Sequence, residues 1–165
     1  MKAGNDDEAL VKAEGEHAGT AKALMGRIAI ANARLAYQKF KSVFEGQRFG
    51  VLKASGAQVQ RPLWASTSTK NPAYRDVRYI ETLIGPDTVN TVPPSTLEAF
   101  KDHGIAEATL ETGLEEAAED FARLEMLGID FAEVTAELEA EGVKAFADSY
   151  VSLLDTVEKR RREAL

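Results

Sequence analysis

The stretch Arg61-Pro-Leu-Trp-Ala-Ser-Thr-Ser-Thr-Lys-Asn-Pro-Ala-Tyr74 decides how this chain folds. Its first part, Arg61 to Ser66, is a short apolar run carrying a proline near its start. It is too short for a stable helix and is flanked by turn formers, so it predicts a buried β-strand. Thr67 to Pro72 then reads as a hydroxyl-rich loop. Asp76 to Leu83 predicts a helix closed by Gly85-Pro86. Thr88-Val-Asn-Thr-Val92 is short and β-branched, which predicts a second strand, and Pro93-Pro94 stops it. Two short apolar strands joined by a crossover helix form a βαβ unit, whose strands run parallel and are covered on both faces. Active groups in parallel α/β folds gather at the C-terminal ends of the strands. Here those ends are Ser66 to Asn71 and Thr91 to Pro94.

Outside this unit the chain predicts helix. Lys22 to Phe44 places Leu24, Ile28, Ala31, Leu35 and Val43 at helical spacing and is followed by Gly46 as a stop. A shorter helix is expected from Gln47 to Ser55. After the second strand, Ser95 is positioned to cap a helix from Thr96 to His103. From Ala117 onward Phe121, Leu124 and Leu127 form an apolar stripe, Gly128 breaks it, and Phe131 to Glu141 and Val143 to Arg162 continue helical. Phe146, Tyr150, Leu153, Leu154 and Val157 share one face of the last segment. Trp64, Tyr74, Tyr79, Phe121, Phe131 and Phe146 are expected in core or interhelix packing. Residues 1–21 read as a polar lead-in and 22–165 as the folded part. The fold class expected is α/β, mostly helical, with about two parallel strands and a C-terminal helical tail.

The composition narrows the function. The 165 residues carry a net charge of -7, with 44% apolar and 28% charged residues. Phosphate-backbone binding needs a basic face, so nucleic acid is not an expected partner. The one dense basic run, Lys159-Arg160-Arg161-Arg162, fits a helix end where cations complement the dipole. The chain has no cysteine, which removes disulfides, thiolate zinc sites and cysteine nucleophiles and fits a reducing cytosol. No apolar run approaches the roughly 20 residues that span a bilayer, and the polar, acidic start is unlike a signal peptide. A soluble, cytoplasmic protein without a membrane partner is expected.

Two chemistries fit the loop after the first strand. Ser66, Thr67, Ser68 and Thr69 offer hydroxyls, Lys70 a charge and Asn71 an amide, a set suited to an oxyanion such as phosphate. The same residues also suit a polar turn whose hydroxyls satisfy local backbone. Lys70 as a nucleophilic amine would need a desolvated pocket to lower its pKa, and nothing nearby is apolar enough. Asn90, inside the second strand, either points into a pocket or is a satisfied strand-end amide. His17 and His103 have no metal-ligand neighbour at helical spacing, and Glu107 to Asp120 reads as a solvated helix face rather than a calcium loop.

Several segments, in order, resemble bacterial transaldolases of the longer subgroup that is sometimes fused to glucose-6-phosphate isomerase. Arg61 to Tyr74 is similar to a late-strand motif of that family, and Ile84-Gly-Pro-Asp-Thr-Val-Asn-Thr-Val-Pro-Pro94 to the strand after it. Leu97-Glu-Ala-Phe-Lys-Asp-His-Gly104 resembles the next helix. Leu127-Gly-Ile-Asp130 with Val134 to Val143 resembles the C-terminal tail, and Gly26 to Phe44 the helix before the motif. The resemblance covers about residues 22 to 162 and its C-terminal part only.

It implies a (β/α)₈ barrel of the class I aldolase type, acting in the pentose phosphate pathway. Such enzymes move a dihydroxyacetone unit from sedoheptulose 7-phosphate to glyceraldehyde 3-phosphate through a lysine Schiff base, without metal or organic cofactor. Position by position, it implies that Ser66 and Lys70 hold a substrate phosphate, with Asn71 in support. The family's Schiff-base lysine sits in an earlier strand, in an apolar-Lys-apolar-Pro-Ala-Thr context. Neither that context, nor the early catalytic aspartate, nor the earlier serine-arginine phosphate motif occurs in this sequence.

Such a barrel needs eight strands and typically about 250 residues, so two strands cannot close it. The expectation is a portion of a barrel that holds a sugar phosphate and is inactive alone: either a truncated reading frame or a fragment, or one part of a barrel whose remaining strands a companion chain supplies. Met1 lies just before the first matching helix, which fits a broken or split gene. The alternative is a non-catalytic helical module that binds a phosphosugar or a partner.

Overall fold

The computed structural model describes residues 17–164. Its elements are α1 (Ala18–Leu24), α2 (Ile28–Phe44), α3 (Gln47–Ala54), β1 (Leu63–Trp64), α4 (Arg78–Glu81), β2 (Val89–Asn90), α5 (Pro94–His103), α6 (Leu114–Met126) and α7 (Phe131–Glu163). The described residues through Gly128 form one compact unit, and those from Ile129 onward a second. The polar lead-in expected over residues 1–21 lies outside the described residues as far as residue 16. From Ala18 the chain is helical, and Ala21 is buried.

The fold is mostly helical with two parallel strands, as the strand-loop-strand reading requires. Leu63 faces Val89 and Trp64 faces Asn90 in a two-stranded parallel sheet. The Val89 N–H donates to the Pro62 carbonyl at 2.9 Å and the Thr91 N–H to the Trp64 carbonyl at 3.0 Å. Each strand is shorter than the apolar run that predicts it, pairing only over Leu63–Trp64 and Val89–Asn90.

The core lies between α2, α4 and the segment leading into α6. Ile30, Ala33 and Tyr37 of α2 meet Tyr79, Leu83 and Leu110, with Phe40 and Trp64 packed against them. Burying each large apolar side chain contributes about 1.5–3 kcal/mol, and Tyr37 stays satisfied because its hydroxyl donates to the Pro86 carbonyl at 3.1 Å. α2 also packs along α6. There Asp120, 2% exposed, accepts from the Arg27 Nε at 2.8 Å and lies 3.4 Å from Arg123. The solvated-face reading of the acidic run therefore fails at Asp120, whose carboxylate is buried and paired as buried charge requires.

Several helix boundaries differ from the sequence reading; among them, the helix expected over 76–83 is only Arg78–Glu81 and the one expected from Ala117 starts at Leu114. The single helix expected over 22–44 is two, because Gly26 adopts φ +72° and a Cβ there would sit 2.9 Å from the Tyr74 ring. α5 starts one turn's edge earlier than expected, with Pro94 in its first turn and no side-chain cap, so Ser95 lies inside the helix. Proline at that position is preorganised for helix and lacks only an N–H that has no partner there anyway.

In the second unit, the two helical segments expected either side of Gly142 form one continuous helix of 33 residues. Asp130 caps it, accepting from the Ala132 N–H at 2.7 Å and the Glu133 N–H at 3.4 Å. None of its residues is buried, and Phe146, expected in packing, is 81% exposed.

Candidate functional site

Parallel pairing brings the C-terminal ends of β1 and β2 side by side. Backbone geometry then shapes the loop after β1. Ser66 adopts φ 59°, a left-handed conformation that is uncommon for a residue with a Cβ and clusters at functional sites. Next to it Thr67 is 3% exposed, and its hydroxyl donates to Asn90 Oδ1 at 2.7 Å. This bond ties the loop to β2 and makes Asn90 a satisfied strand-end amide.

The remaining loop residues divide between holding the loop and facing outward. The Thr69 hydroxyl lies 3.1 Å and 3.2 Å from the carbonyl oxygens of Arg75 and Asp76 and donates to that pair. Asn71 Oδ1 accepts the Ala73 N–H at 2.9 Å, and the Asn71 carbonyl accepts the Tyr74 N–H at 3.1 Å, an Asx turn. Ser66 and Ser68 have no hydrogen-bond partner among the described residues, and Lys70 is exposed with no carboxylate paired to it there. Both chemistries read from the sequence are thus present in one loop. Thr67, Thr69 and the Asn71 oxygen brace it, while Ser66, Ser68 and Lys70 stay available.

Ser66 borders a cleft of about 250 Å³ whose walls also include Ala29, Ala33 and Ala36 of α2 and Trp64, Ala65 and Thr67. Lys70 and Asn71 are not on its walls. The structure therefore places the three expected phosphate residues in one loop but only Ser66 on the cleft.

A network fixes the far end of the loop. Arg75 donates from Nε and Nη2 to the Glu81 carboxylate at 3.0 and 2.9 Å and from Nη2 to the His103 carbonyl at 2.6 Å. His103 Nε2 lies 2.9 Å from Asp76 Oδ1, and Nδ1 3.1 Å from Asp102 Oδ2. The hydrogen bond to Asp76, then that to Asp102, raises His103 above its ordinary value, and the same contact with His103 lowers Asp76.

The sequence reading missed a second cleft, of about 170 Å³, lined by Arg27, Arg34, Arg78, Glu116 and Asp120 among others. Arg27 and Arg34 are seven residues apart, two turns along one helical face, which is the signal that could have found it. Its charges are largely spoken for. The hydrogen bond that Arg27 donates to Asp120 holds the guanidinium above its ordinary value, Arg78 stacks 4.8 Å over the Tyr74 ring, and burial pushes Arg34 down.

Among the described residues no helix is long and apolar enough to cross a membrane, and no group of three or more His, Cys, Asp or Glu side chains gathers as a metal site would need.

Comparison with known proteins places these features in a family. The chain is 50% identical over 141 residues to a transaldolase of Parafrankia sp. (strain EAN1pec), covering 85% of this chain and 38% of that protein. It is 46% identical over 156 residues to a transaldolase of Mycolicibacterium paratuberculosis, covering 93% and 41%. It is 48% identical over 141 residues to transaldolase 2 of Nostoc punctiforme, covering 84% and 37%. The chain thus spans about two fifths of the length of the curated relatives it matches. The model of the transaldolase/fructose-6-phosphate aldolase family matches residues 6–157, nearly the whole sequence, and the chain belongs to that family.

Proposed function

We propose that this chain is the C-terminal part of a transaldolase-type (β/α)₈ barrel and holds the phosphate of a sugar phosphate in the loop Ser66 to Asn71. The observation that carries the reading is the loop's geometry at the C-terminal end of a parallel strand. Ser66 is held in a left-handed turn by the Thr67–Asn90 bond, and Lys70 projects unpaired to solvent. A free ammonium in the same loop as free hydroxyls and turn N–H groups supplies donors of the kind a phosphate takes. Asn71 contributes through the turn it stabilises.

The assembled barrel would move a dihydroxyacetone unit from sedoheptulose 7-phosphate to glyceraldehyde 3-phosphate in the pentose phosphate pathway, in the cytoplasm. A lysine amine would attack the ketose carbonyl, lose water to form an iminium, and draw in the electron pair as the carbon–carbon bond breaks. That chemistry needs no metal or organic cofactor. The 165 residues contain no lysine in the apolar-Lys-apolar-Pro-Ala-Thr setting. We therefore assign the imine-forming amine to a segment outside these 165 residues, and expect no turnover from these residues alone.

The test is a titration with inorganic phosphate and with fructose 6-phosphate, read by NMR shifts of the loop amides. Lys70→Ala should weaken binding about tenfold, the loss of one charge-assisted contact of roughly 1.5 kcal/mol. Equal affinity in the two proteins would remove Lys70 from the role. Borohydride trapping with fructose 6-phosphate should leave the chain unmodified, and an adduct on Lys70 would make it the Schiff-base residue instead.

A further inference from the structure

We propose that the cleft between α2, α4 and α6 is a binding site for a small tetrahedral oxyanion such as inorganic phosphate, separate from the loop after β1. The guanidinium groups of Arg27, Arg34 and Arg78 line about 170 Å³ of space together with the carboxylates of Glu116 and Asp120. The charges do not balance. Asp120 serves two cations, accepting from Arg27 at 2.8 Å and lying 3.4 Å from Arg123. Glu116 lies 3.9 Å from Arg27 and is 69% exposed, so water screens it. Neither carboxylate comes within ion-pair distance of Arg34 or Arg78. The charge left over is positive and resides on those two side chains.

Arg34 carries the stronger mark. Its Nε is buried and has no hydrogen-bond partner, and its Nη2 reaches the Thr109 carbonyl and the Thr112 hydroxyl only at 3.3 and 3.5 Å. A buried donor left unpaired is costly, and an oxyanion in the cleft supplies acceptors. Burial depresses Arg34, Glu116 opposes that, and the nearby Arg27 charge adds to it. A bound anion counters both depressing effects. Arg78 is held by its stack on the Tyr74 ring at 4.8 Å, a contact through the guanidinium face that uses none of its N–H groups. The backbone leaves room for both side chains. A Cβ on Gly113, at φ +62°, would lie 2.8 Å from Arg34 Nη1, and one on Gly26 would lie 3.2 Å from Arg78 Cζ.

Size and chemistry select the ligand. At roughly 30 Å³ for each water-sized group, the cleft holds about five, the heavy-atom count of a phosphate ion. A whole sugar phosphate or nucleotide is too large for it. Guanidinium forks match the oxygen spacing of such an oxyanion and bind it by charge-assisted hydrogen bonds. The site uses none of the residues Ser66 to Asn71, so it stands or falls apart from the loop.

The experiment titrates the 165-residue chain with inorganic phosphate at constant ionic strength, held with chloride, and follows the Thr82 and Ala117 amides by NMR. Both amides should shift saturably with phosphate and stay still with chloride alone. Arg78→Gln should weaken this binding about tenfold, the loss of one charge-assisted contact. Glu116→Gln, at an exposed position, should tighten it about threefold by removing a like charge. Lys70→Ala should leave it unchanged. Shifts that fail to saturate, or that chloride reproduces, overturn the proposal. So does an affinity unmoved by both Arg78→Gln and Glu116→Gln. A response at Thr82 and Ala117 that Lys70→Ala abolishes overturns it as well, because the anion then sits in the loop. Saturable shifts at Thr82 and Ala117 with none at the Ser66 and Ser68 amides would instead remove the loop's phosphate role and uphold the cleft site.

Discussion

Gly85 and Leu110 form a contact tight enough to be weighed atom by atom. Leu110 is fully buried. An ideal Cβ on Gly85 would lie 2.7 Å from Leu110 Cδ2, 2.8 Å from its Cβ and 3.3 Å from its Cγ. The leucine cannot back away easily, because the Thr109 and Leu110 N–H groups both donate to the Ile84 carbonyl at 3.0 Å. Gly85→Ala should therefore cost about 2 kcal/mol, within the usual range of about 1–3 kcal/mol for overpacking. Leu110→Ala removes three carbons from the core, about 2.4 kcal/mol of transfer free energy at 0.8 per carbon. The cavity left beside Ile30 and Tyr79 brings the total to about 3–4 kcal/mol.

The double variant is the decisive measurement. Two of the three close approaches vanish with the leucine and one, to Cβ, remains, so relief should be partial. The double variant should be about 1 kcal/mol more stable than the sum of the two losses predicts. Urea unfolding followed by Trp64 fluorescence and by far-ultraviolet circular dichroism measures all four proteins. A double variant whose loss equals the sum to within about 0.5 kcal/mol, the spread expected of independent sites, would refute the contact.

Two further outcomes follow from the site. Thr67→Val keeps the shape of a buried side chain but leaves the Asn90 carbonyl without its donor at 2.7 Å. It should cost about 1 kcal/mol and broaden the loop amides, whereas a loss below about 0.3 kcal/mol would mean the bond does not hold the loop. His103 is raised by Asp76 and Asp102, so its contribution to stability is fully present below the ordinary histidine value of about 6.5 and fades as pH rises through the higher folded value. Asp76 is lowered by His103, so its contribution is present above the ordinary aspartate value of about 3.9 and fades as pH falls through the lower folded value. An NMR titration should show the His103 midpoint dropping back in Asp76→Asn; a midpoint unmoved by that substitution would break the pairing.

The βαβ core of this fold was readable because periodicity and punctuation agree there. Proline and glycine bound both strands, and the alternation of short apolar runs with a helix leaves one economical topology. The helix break at Gly26 was not readable, because it depends on the Tyr74 ring, nearly fifty residues away in sequence, arriving against the glycine. Asp120 was misread for the same reason: its burial is set by Arg27 across the packing of α2 on α6, a contact with no local signature. In the loop, residue types announced an oxyanion site, but which hydroxyls brace and which remain free is decided by φ at Ser66 and by Asn90 reaching Thr67. The motif resemblance supplied roles for Ser66 and Lys70 that composition alone left open.

The long helix α7 has a thermodynamic consequence of its own. Local terms support it along its exposed length: the Asp130 cap, the Lys144–Asp148 pair at 2.6 Å and the clasp of Arg161 and Arg162 on Glu158. Such terms contribute a few tenths of a kcal/mol each at exposed positions, and helix–coil equilibria held up this way shift gradually with temperature. Heating should erode ellipticity from this segment over a broad range, fraying from both ends, before the sharp transition of the unit that contains Tyr37 and Leu110.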